Sequence, residues 1–559
     1  MTPPVAGAST NRRNFLSLIG LGAAAMAGGG VLAGCGEGGG GGSGSATDTD
    51  KLSGVLPKQQ NIALDIKPDI TSTRPVADGY TTFPSTFKKV ITEKPGKSGQ
   101  KISAMTPAWG PAPPGLGSNA YYDAINSELG VQVDFSIQDG NTYADKLGAM
   151  LASRDVPDLL CIPGWEVEKL PRFTDAVKSL FEDLTDHLSG DKVSAYPMLA
   201  SFPTAAWREA VWNERLMAVP NPTDGPYPWV LLARKDLLDA AGQQMPKSGD
   251  ELYELGKKMT DPNKGVWAFD DIFQMVQMLF KAPGSKQGWG RVDGKVVHKY
   301  ETPQFKQAAE FMSKLYKDNL IHPDVVASKG ADKKTLFASG KIVMIQDGMG
   351  AWQPLQAQYQ KVTSTLNVQP VPNFSATGGD PLVWMVDDPI SYTFIKKGLG
   401  KERVQELLRV INWCSAPFGT QEFLMREYGV EGKHWKKGAG GAPAKEDISF
   451  KEIQNQYFFI SGRNPVVQPY PDTPNYVKDM LGYSNAHVKY LEKDPWDGLK
   501  LEFPAQFKAN KVPTEDKFTD VVRGRRPLGD IDTIVSEWRA NGGDEARDFL
   551  AKALSDAGR

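Results

Sequence analysis

The chain has 559 residues, enough for more than one core at roughly 100–200 residues per domain. Lys and Arg number 64 against 66 Asp and Glu, so the formal charge of −2 lacks the basic excess of a protein built to grip nucleic acid. An apolar fraction of 40% with 23% charged residues fits a soluble fold better than a membrane transporter, and three Cys exclude a disulfide scaffold.

The first segment reads as an address and a tether. Arg12-Arg13-Asn14-Phe15-Leu16 resembles a twin-arginine export signal, although Asn11 and Ser17 depart from the usual residues on either side. The Gly/Ala-rich apolar run from Leu18 to Ala33 is shorter than the ~20 strongly apolar residues of a membrane span, so it reads as a removable segment. It ends at Leu32-Ala33-Gly34-Cys35, which resembles a bacterial lipobox, and the Gly/Ser run that follows is a flexible tether. The expectation is a signal over 1–34, a lipid on Cys35 and a tether with an extended approach segment over 35–98. The mature body, of formal charge −4, would then sit on the outer face of a membrane. Cys161 and Cys414 both have apolar neighbours and are expected to be inert core thiols.

The body begins with a strand at 101–105 that runs into a Pro/Gly loop carrying Trp109. Asn119 is a good helix cap, Tyr122, Ile125 and Leu129 follow at helical spacing, and Gly130 closes that helix. Val131, Val133, Phe135 and Ile137 alternate as a strand, and Tyr143, Leu147, Met150 and Leu151 mark a second helix. A buried-looking strand at 158–162 stops at Pro163-Gly164-Trp165. This rhythm is that of an α/β fold with a largely parallel sheet. Four prolines at 220–228 precede a strand at 229–232, which reads as a crossing to a second lobe. Helices at 250–260, 271–281 and 303–318 lead to a strand at 342–345, then Asp347 and Trp352. A helical stripe of Ile531, Ile534, Val535 and Trp538 comes near the end, behind a candidate cap at Asp530.

Catalytic signatures are missing. The five His include no i, i+4 pair and no zinc-binding His-Glu-x-x-His. There is no Gly-x-Ser-x-Gly elbow and no P-loop. Paired carboxylates for glycoside hydrolysis stay open, because 66 acids always supply candidates.

Three stretches together resemble one family. They are the lipobox tether, Phe337-Ala338-Ser339-Gly340-Lys341-Ile342-Val343-Met344 followed by Trp352, and Phe518-Thr519-Asp520-Val521-Val522-Arg523-Gly524-Arg525-Arg526-Pro527 followed by Trp538. The chain is similar to the extracellular solute-binding lipoproteins of carbohydrate ABC importers, in the large branch that includes alginate- and pectin-oligosaccharide-binding proteins. The resemblance implies a two-lobed periplasmic-binding-protein-like α/β fold with a hinge and an interlobe cleft. It also implies an oligosaccharide ligand, ABC permease subunits as partners, no catalysis and no cofactor, in a chain expected to be monomeric. Relatives often carry an Asp-rich calcium loop after the helix near residue 258. Here Asp261-Pro262-Asn263-Lys264-Gly265 lacks the later acids that would bring the oxygens to the about six to eight calcium needs, so no metal site is expected. Lobe one is expected over 99–225 with 347–388, and lobe two over 226–346 with 389–559, with a second crossing near 346–352.

Sugars present flat C–H faces ringed by hydroxyls, so their clefts combine aromatic rings with short polar side chains. In open α/β sheets ligands bind beyond the C-terminal ends of strands. Trp109, Trp165 and Trp352 each follow a strand, with Asp347 beside the last, and these four are the leading site candidates. Trp229 in the crossing and Trp289 in Gln287-Gly288-Trp289-Gly290 are second choices, and Trp413 and Trp538 read as core. A surface-tethered polysaccharide-degrading enzyme and a peptide receptor of the same architecture are the rival readings.

Overall fold

The computed structural model describes residues 44–559 apart from 168, 171, 223–224, 327–332, 386–388, 439–440 and 463–465. Arg12, Arg13 and Cys35 lie outside the described residues. Nine strands build the two main sheets. In chain order they are β1 Ile102–Ala108, β2 Val133–Asp139, β3 Leu159–Pro163, β4 Val219–Asn221, β5 Val230–Arg234, β6 Trp267–Phe269, β7 Ile342–Asp347, β8 Val368–Pro370 and β9 Ser391–Ile395. The helices that position the site and its supports are α1 Ala120–Leu129, α2 Lys333–Ala338, α3 Trp352–Gln360, α4 Lys401–Cys414, α5 Gln421–Tyr428 and α6 Gln456–Ser461.

The local signals act as the sequence suggests. The Asn119 side chain accepts from the N–H groups of Tyr121 and Tyr122, satisfying two donors that α1 leaves open. Gly130 closes α1 at φ 70°, a left-handed position where a side chain would be strained. Asp530 departs from its expected role: it lies in a turn of 3-10 helix and its side chain makes no cap bond.

The first sheet has strand order β2-β1-β3-β9-β4 and the second β6-β7-β5-β8. Each has its own core. Ile102, Leu160, Phe394 and Ile411 belong to the first, and Leu231, Phe269, Val343 and Met312 to the second. The two-lobed α/β architecture is therefore as expected, but the lobes exchange different segments. Residues 347–385 stay with the second core through Trp352, Leu366, Val368 and Trp384. Strand β9 and helices α4 and α6 return to the first, because β9 is buried along its length and pairs with both β3 and β4. The second crossing thus falls between Pro370 and Ser391, not at 346–352. A strand with two paired edges cannot leave its sheet, and β7 and α3 both pack on the second sheet.

Strand polarity decides where the crossings run. β1, β2 and β3 are parallel, and β9 is antiparallel to both β3 and β4. Ala108, Asp139, Pro163 and Asn221 therefore end at one edge, where Ser391 begins. In the second sheet β6 and β7 are parallel and β5 and β8 alternate, so Phe269, Asp347 and the start of β5 share one edge. The crossing from Asn221 to Val230 and the return from Pro370 to Ser391 join these two edges. Hydrogen bonds from Ile390 N–H to the Asn221 carbonyl and from Gly164 N–H to the Ile390 carbonyl pack the crossings together.

Residues 44–98 form a strap rather than a loose approach. Ser45–Asp48 pairs antiparallel with Leu499–Glu502 of the second lobe. Leu56 then packs in the first core. Ile70 and Val76 return to the second, where Asp78–Gly79 pairs with Val466–Val467. Phe83 and Phe87 close on Phe418 and Phe423 beside the first lobe. Buried carboxylates hold the last stretch. Glu422 of α5 accepts from the N–H groups of Val90 and Ile91, and Glu406 of α4 from those of Lys97 and Ser98. Burial by itself would raise the Glu406 carboxyl. The hydrogen bonds from Ser98 and Lys97, with Arg403 at 2.6 Å, outweigh it and hold the group at about 2. Cys161 and Cys414 are buried free thiols, and burial pushes Cys414 up to about 12. Among the described residues no helix is long and apolar enough to cross a membrane.

Glu406→Gln is expected to cost on the order of 2 kcal/mol, the worth of hydrogen bonds to a charged group. Deuterium uptake at 94–100 should rise while the rest of the strap keeps its protection. The folded carboxyl lies below its unfolded value of about 4.3, so this contribution is present above that value and lost as pH falls through about 2. The gap between parent and variant in denaturant unfolding should therefore shrink below about pH 4. Equal uptake at neutral pH would show that Glu406 does not hold the strap.

Candidate functional site

At the C-terminal edge of the first sheet two exposed rings meet. Trp109 follows β1 and is 45% exposed, and Trp165 follows β3 and is 44% exposed. Their centroids are 5.9 Å apart at 50°. Phe459 of α6 continues the row at 5.7 Å from Trp109. A close approach allows this layout: a Cβ on Gly140, just beyond β2, would come within 2.1 Å of the Trp109 ring. Helix α6 is fixed under the row because Asn221 donates to the Phe458 carbonyl at 3.0 Å and Ser461 to the Pro220 carbonyl at 3.3 Å. Below Trp165, Glu166 is buried and pairs with Lys169 at 3.0 Å.

The edge of the second sheet that the crossings join is polar. Asp347 ends β7, opposite Val230 of β5, and its Oδ1 accepts from Gly348 N–H at 2.8 Å. Lys333 and Lys334 of α2 approach Asp347 at 3.8 and 3.5 Å. Lys333 also lies 3.5 Å from Asp270 and donates to the Gln346 carbonyl. Asp270 is buried and accepts from Gln346 N–H at 3.0 Å. Burial pushes its carboxyl up to about 7, against the pull of Lys333. Trp229 is half-buried on the second core immediately before β5.

The structure thus brings Trp109 and Trp165 together and sets Asp347 and Trp229 on the opposite edge. It removes two candidates. Trp352 is 2% exposed, donates its Nε1–H to the Val368 carbonyl at 2.7 Å and packs edge-on against Tyr476. The Gly348–Gly350 turn leads straight into α3, and the first residue of α3 is folded under edge strand β8. Trp289 is fully buried against His298, Phe507 and Trp538. Trp413 and Trp538 are core, as their helical stripes suggest. Phe459, Gly140, Asp270, Lys333 and Lys334 were not legible as site residues, since only β-sheet polarity brings them to these edges. Asp261 pairs with Lys264 at 2.9 Å within its own turn, and no group of three or more metal-ligating side chains occurs among the described residues.

Two concavities of about 520 and 420 Å³ lie elsewhere, one beside α1 and one between α3 and residues 472–479. Neither is bordered by the exposed rings. The strand-end edges remain the better site, since they combine accessible aromatics with polar groups.

Comparison with known proteins bears on the family and the fold. Residues 112–396 match the family model described as bacterial extracellular solute-binding protein. A polygalacturonan/rhamnogalacturonan-binding protein, YtcQ, of Bacillus subtilis is 21% identical over 438 residues, covering 74% of this chain and 83% of the relative. Lipoprotein LipO of the same organism is 21% identical over 492 residues, covering 81% and 93%. The fold is that of the alginate-binding protein AlgQ2, whose calcium-free crystal structure superposes with a TM-score of 0.61 at 15% identity. It covers 84% of this chain and 100% of that one.

The two kinds of Trp should separate experimentally. Trp109→Ala and Trp165→Ala should leave the melting temperature near that of the parent, because their rings are half in solvent. Trp352→Ala should cost about 3–5 kcal/mol of stability, as buried Trp does. A large loss of stability in Trp109→Ala with none in Trp352→Ala would reverse the assignment.

Proposed function

The chain belongs to the bacterial extracellular solute-binding protein family, and from that premise we propose that it captures an oligosaccharide between its lobes for delivery to an ABC importer. The observation that carries this reading is the accessible Trp109–Trp165 pair at the strand ends. Those rings cover the C–H faces of sugar units. Asp347, held at the facing edge, accepts from hydroxyls, and Trp229 adds a second apolar wall. Binding lowers the energy of the closed form, in which both edges contact one ligand, and so shifts the lobes toward closure. The two crossings between the sheets absorb that rotation. The importer's membrane subunits read the closed form, and no bond is made or broken. The sugar-binding name of YtcQ supports the ligand class, and the name of LipO supports anchoring. The enzyme and peptide-receptor readings have no observation in their favour.

The lipid is placed on Cys35 by Leu32-Ala33-Gly34-Cys35, and the twin-arginine route rests on Arg12 and Arg13. A lipid anchor needs several acyl chains, each buried CH₂ contributing about 0.8 kcal/mol. Cys35→Ala should release the mature body into the soluble fraction; a variant still membrane-bound after a high-salt wash would overturn the anchor.

Titration calorimetry with a panel of oligosaccharides tests the ligand. A bound sugar should lose at least about 2 kcal/mol, roughly thirtyfold in Kd, on Trp109→Ala or Trp165→Ala. Small-angle scattering should show a smaller radius of gyration with that sugar. Undiminished binding in both variants would remove the aromatic row from the site.

A further inference from the structure

We infer that the captured oligosaccharide is uncharged, an inference that rests on the oligosaccharide reading and goes beyond it to the ligand's charge. The relative named for polygalacturonan binding and the structural neighbour named for alginate binding are associated with uronate polymers, which carry a carboxylate on each such unit. A site for such a polymer needs cations left over after the protein's own carboxylates are satisfied. At the described strand-end edges of this chain, Lys169, Lys333 and Lys334 each already have a carboxylate.

On the second sheet, Lys333 lies between Asp270 at 3.5 Å and Asp347 at 3.8 Å, and Lys334 lies 3.5 Å from Asp347. On the first sheet, Lys169 is paired with buried Glu166 at 3.0 Å. Beyond the end of β6, Asp271 pairs with Arg523 at 3.2 Å. The carboxylate of Asp139, which ends β2, is exposed and accepts from the neighbouring Asn141. Carboxylates therefore equal or outnumber cations at both edges.

Closure decides the consequence. When the lobes shut, water leaves and every charge must find its partner within the cleft, because an unpaired buried ion costs several kcal/mol. A uronate chain would bring one unpaired carboxylate per unit to a cleft whose lysines are already engaged. A neutral sugar brings only hydroxyls, which donate to Asp347 and leave the lysine pairs intact. With Asp270 ionised, Asp270, Asp347 and the two lysines thus act as a charge filter: they supply acceptors for hydroxyls without presenting net positive charge.

The test compares maltotriose, raffinose, stachyose and galactotriose with trigalacturonate and trimannuronate. Melting shifts and calorimetry are run with the full mature chain at pH 8, above the Asp270 value, in low salt. Binding of one or more neutral sugars with at least tenfold weaker binding of both uronates is expected. Uronate binding as tight as, or tighter than, that of every neutral sugar would overturn the inference while leaving the oligosaccharide reading in place. If no sugar of either class binds, the oligosaccharide reading falls and the inference with it.

Asp347→Asn supplies the second arm. It keeps the acceptor for Gly348 N–H but removes a negative charge beside Lys333 and Lys334. The ratio of uronate to neutral-sugar affinity should rise about tenfold, and the gain should vanish at 0.5 M salt, where screening lengths are only a few ångströms. In the double variant Asp347→Asn with Lys334→Met the ratio should return to that of the parent. An unchanged ratio in Asp347→Asn, with the variant folded and still binding a neutral sugar, would show that this pairing does not set selectivity.

Discussion

The constraint on which the rest depends is the polarity of two sheets joined at matching edges. The parallel strands of the first sheet end at Ala108, Asp139, Pro163 and Asn221, and the chain leaves from Asn221 to enter the second sheet at Val230. The return leaves Pro370 and enters at Ser391, in register with both Pro163 and Asn221. Every loop that follows a parallel strand therefore projects toward the region the crossings bridge. The exposed rings lie at the end of the first sheet and the paired charges at the end of the second, at the edges these crossings join.

The strap adds a second kind of coupling. Residues 44–98 visit the second lobe, the first, the second again and the first again, so lobe movement must carry them along. Leu56, Val76 and Phe83 anchor it by burial. Its last stretch is held by carboxylates on helices of the first lobe, with Glu406 and Glu422 each accepting from two backbone N–H groups. Glu452 does the same for the start of α1, accepting from Ala120 N–H and pairing with buried His434 at 3.0 Å. Charged groups here stabilise chain course rather than chemistry.

The tryptophans show how the same residue serves opposite ends. Trp109 and Trp165 follow strands that end at an open edge, and their indoles rest on each other and on Phe459. Trp352 also follows a strand, but a helix begins at that residue, and the turn swings its ring beneath β8, where its N–H finds the Val368 carbonyl. A strand-end position brings a ring near the cleft. The direction of the next element decides whether the ring reaches it.

The sequence by itself determined the α/β rhythm, the positions of most strands and helices, the caps at Asn119 and Gly130, the first crossing at its cluster of prolines and the core thiols. These depend on periodicity, cap chemistry and Pro/Gly backbone limits, all set within a few residues. It also pointed to Trp109, Trp165 and Asp347, because strand ends are visible locally. Only the tertiary structure decided which lobe β9 and β8 join, why Trp352 and Trp289 are core, and how the strap is tied. It alone placed Lys333 between Asp270 and Asp347, groups 63 and 14 positions away in sequence. Strand pairing and charge pairing are long-range contacts whose energy depends on what is brought alongside, and no local pattern of residues encodes that neighbour.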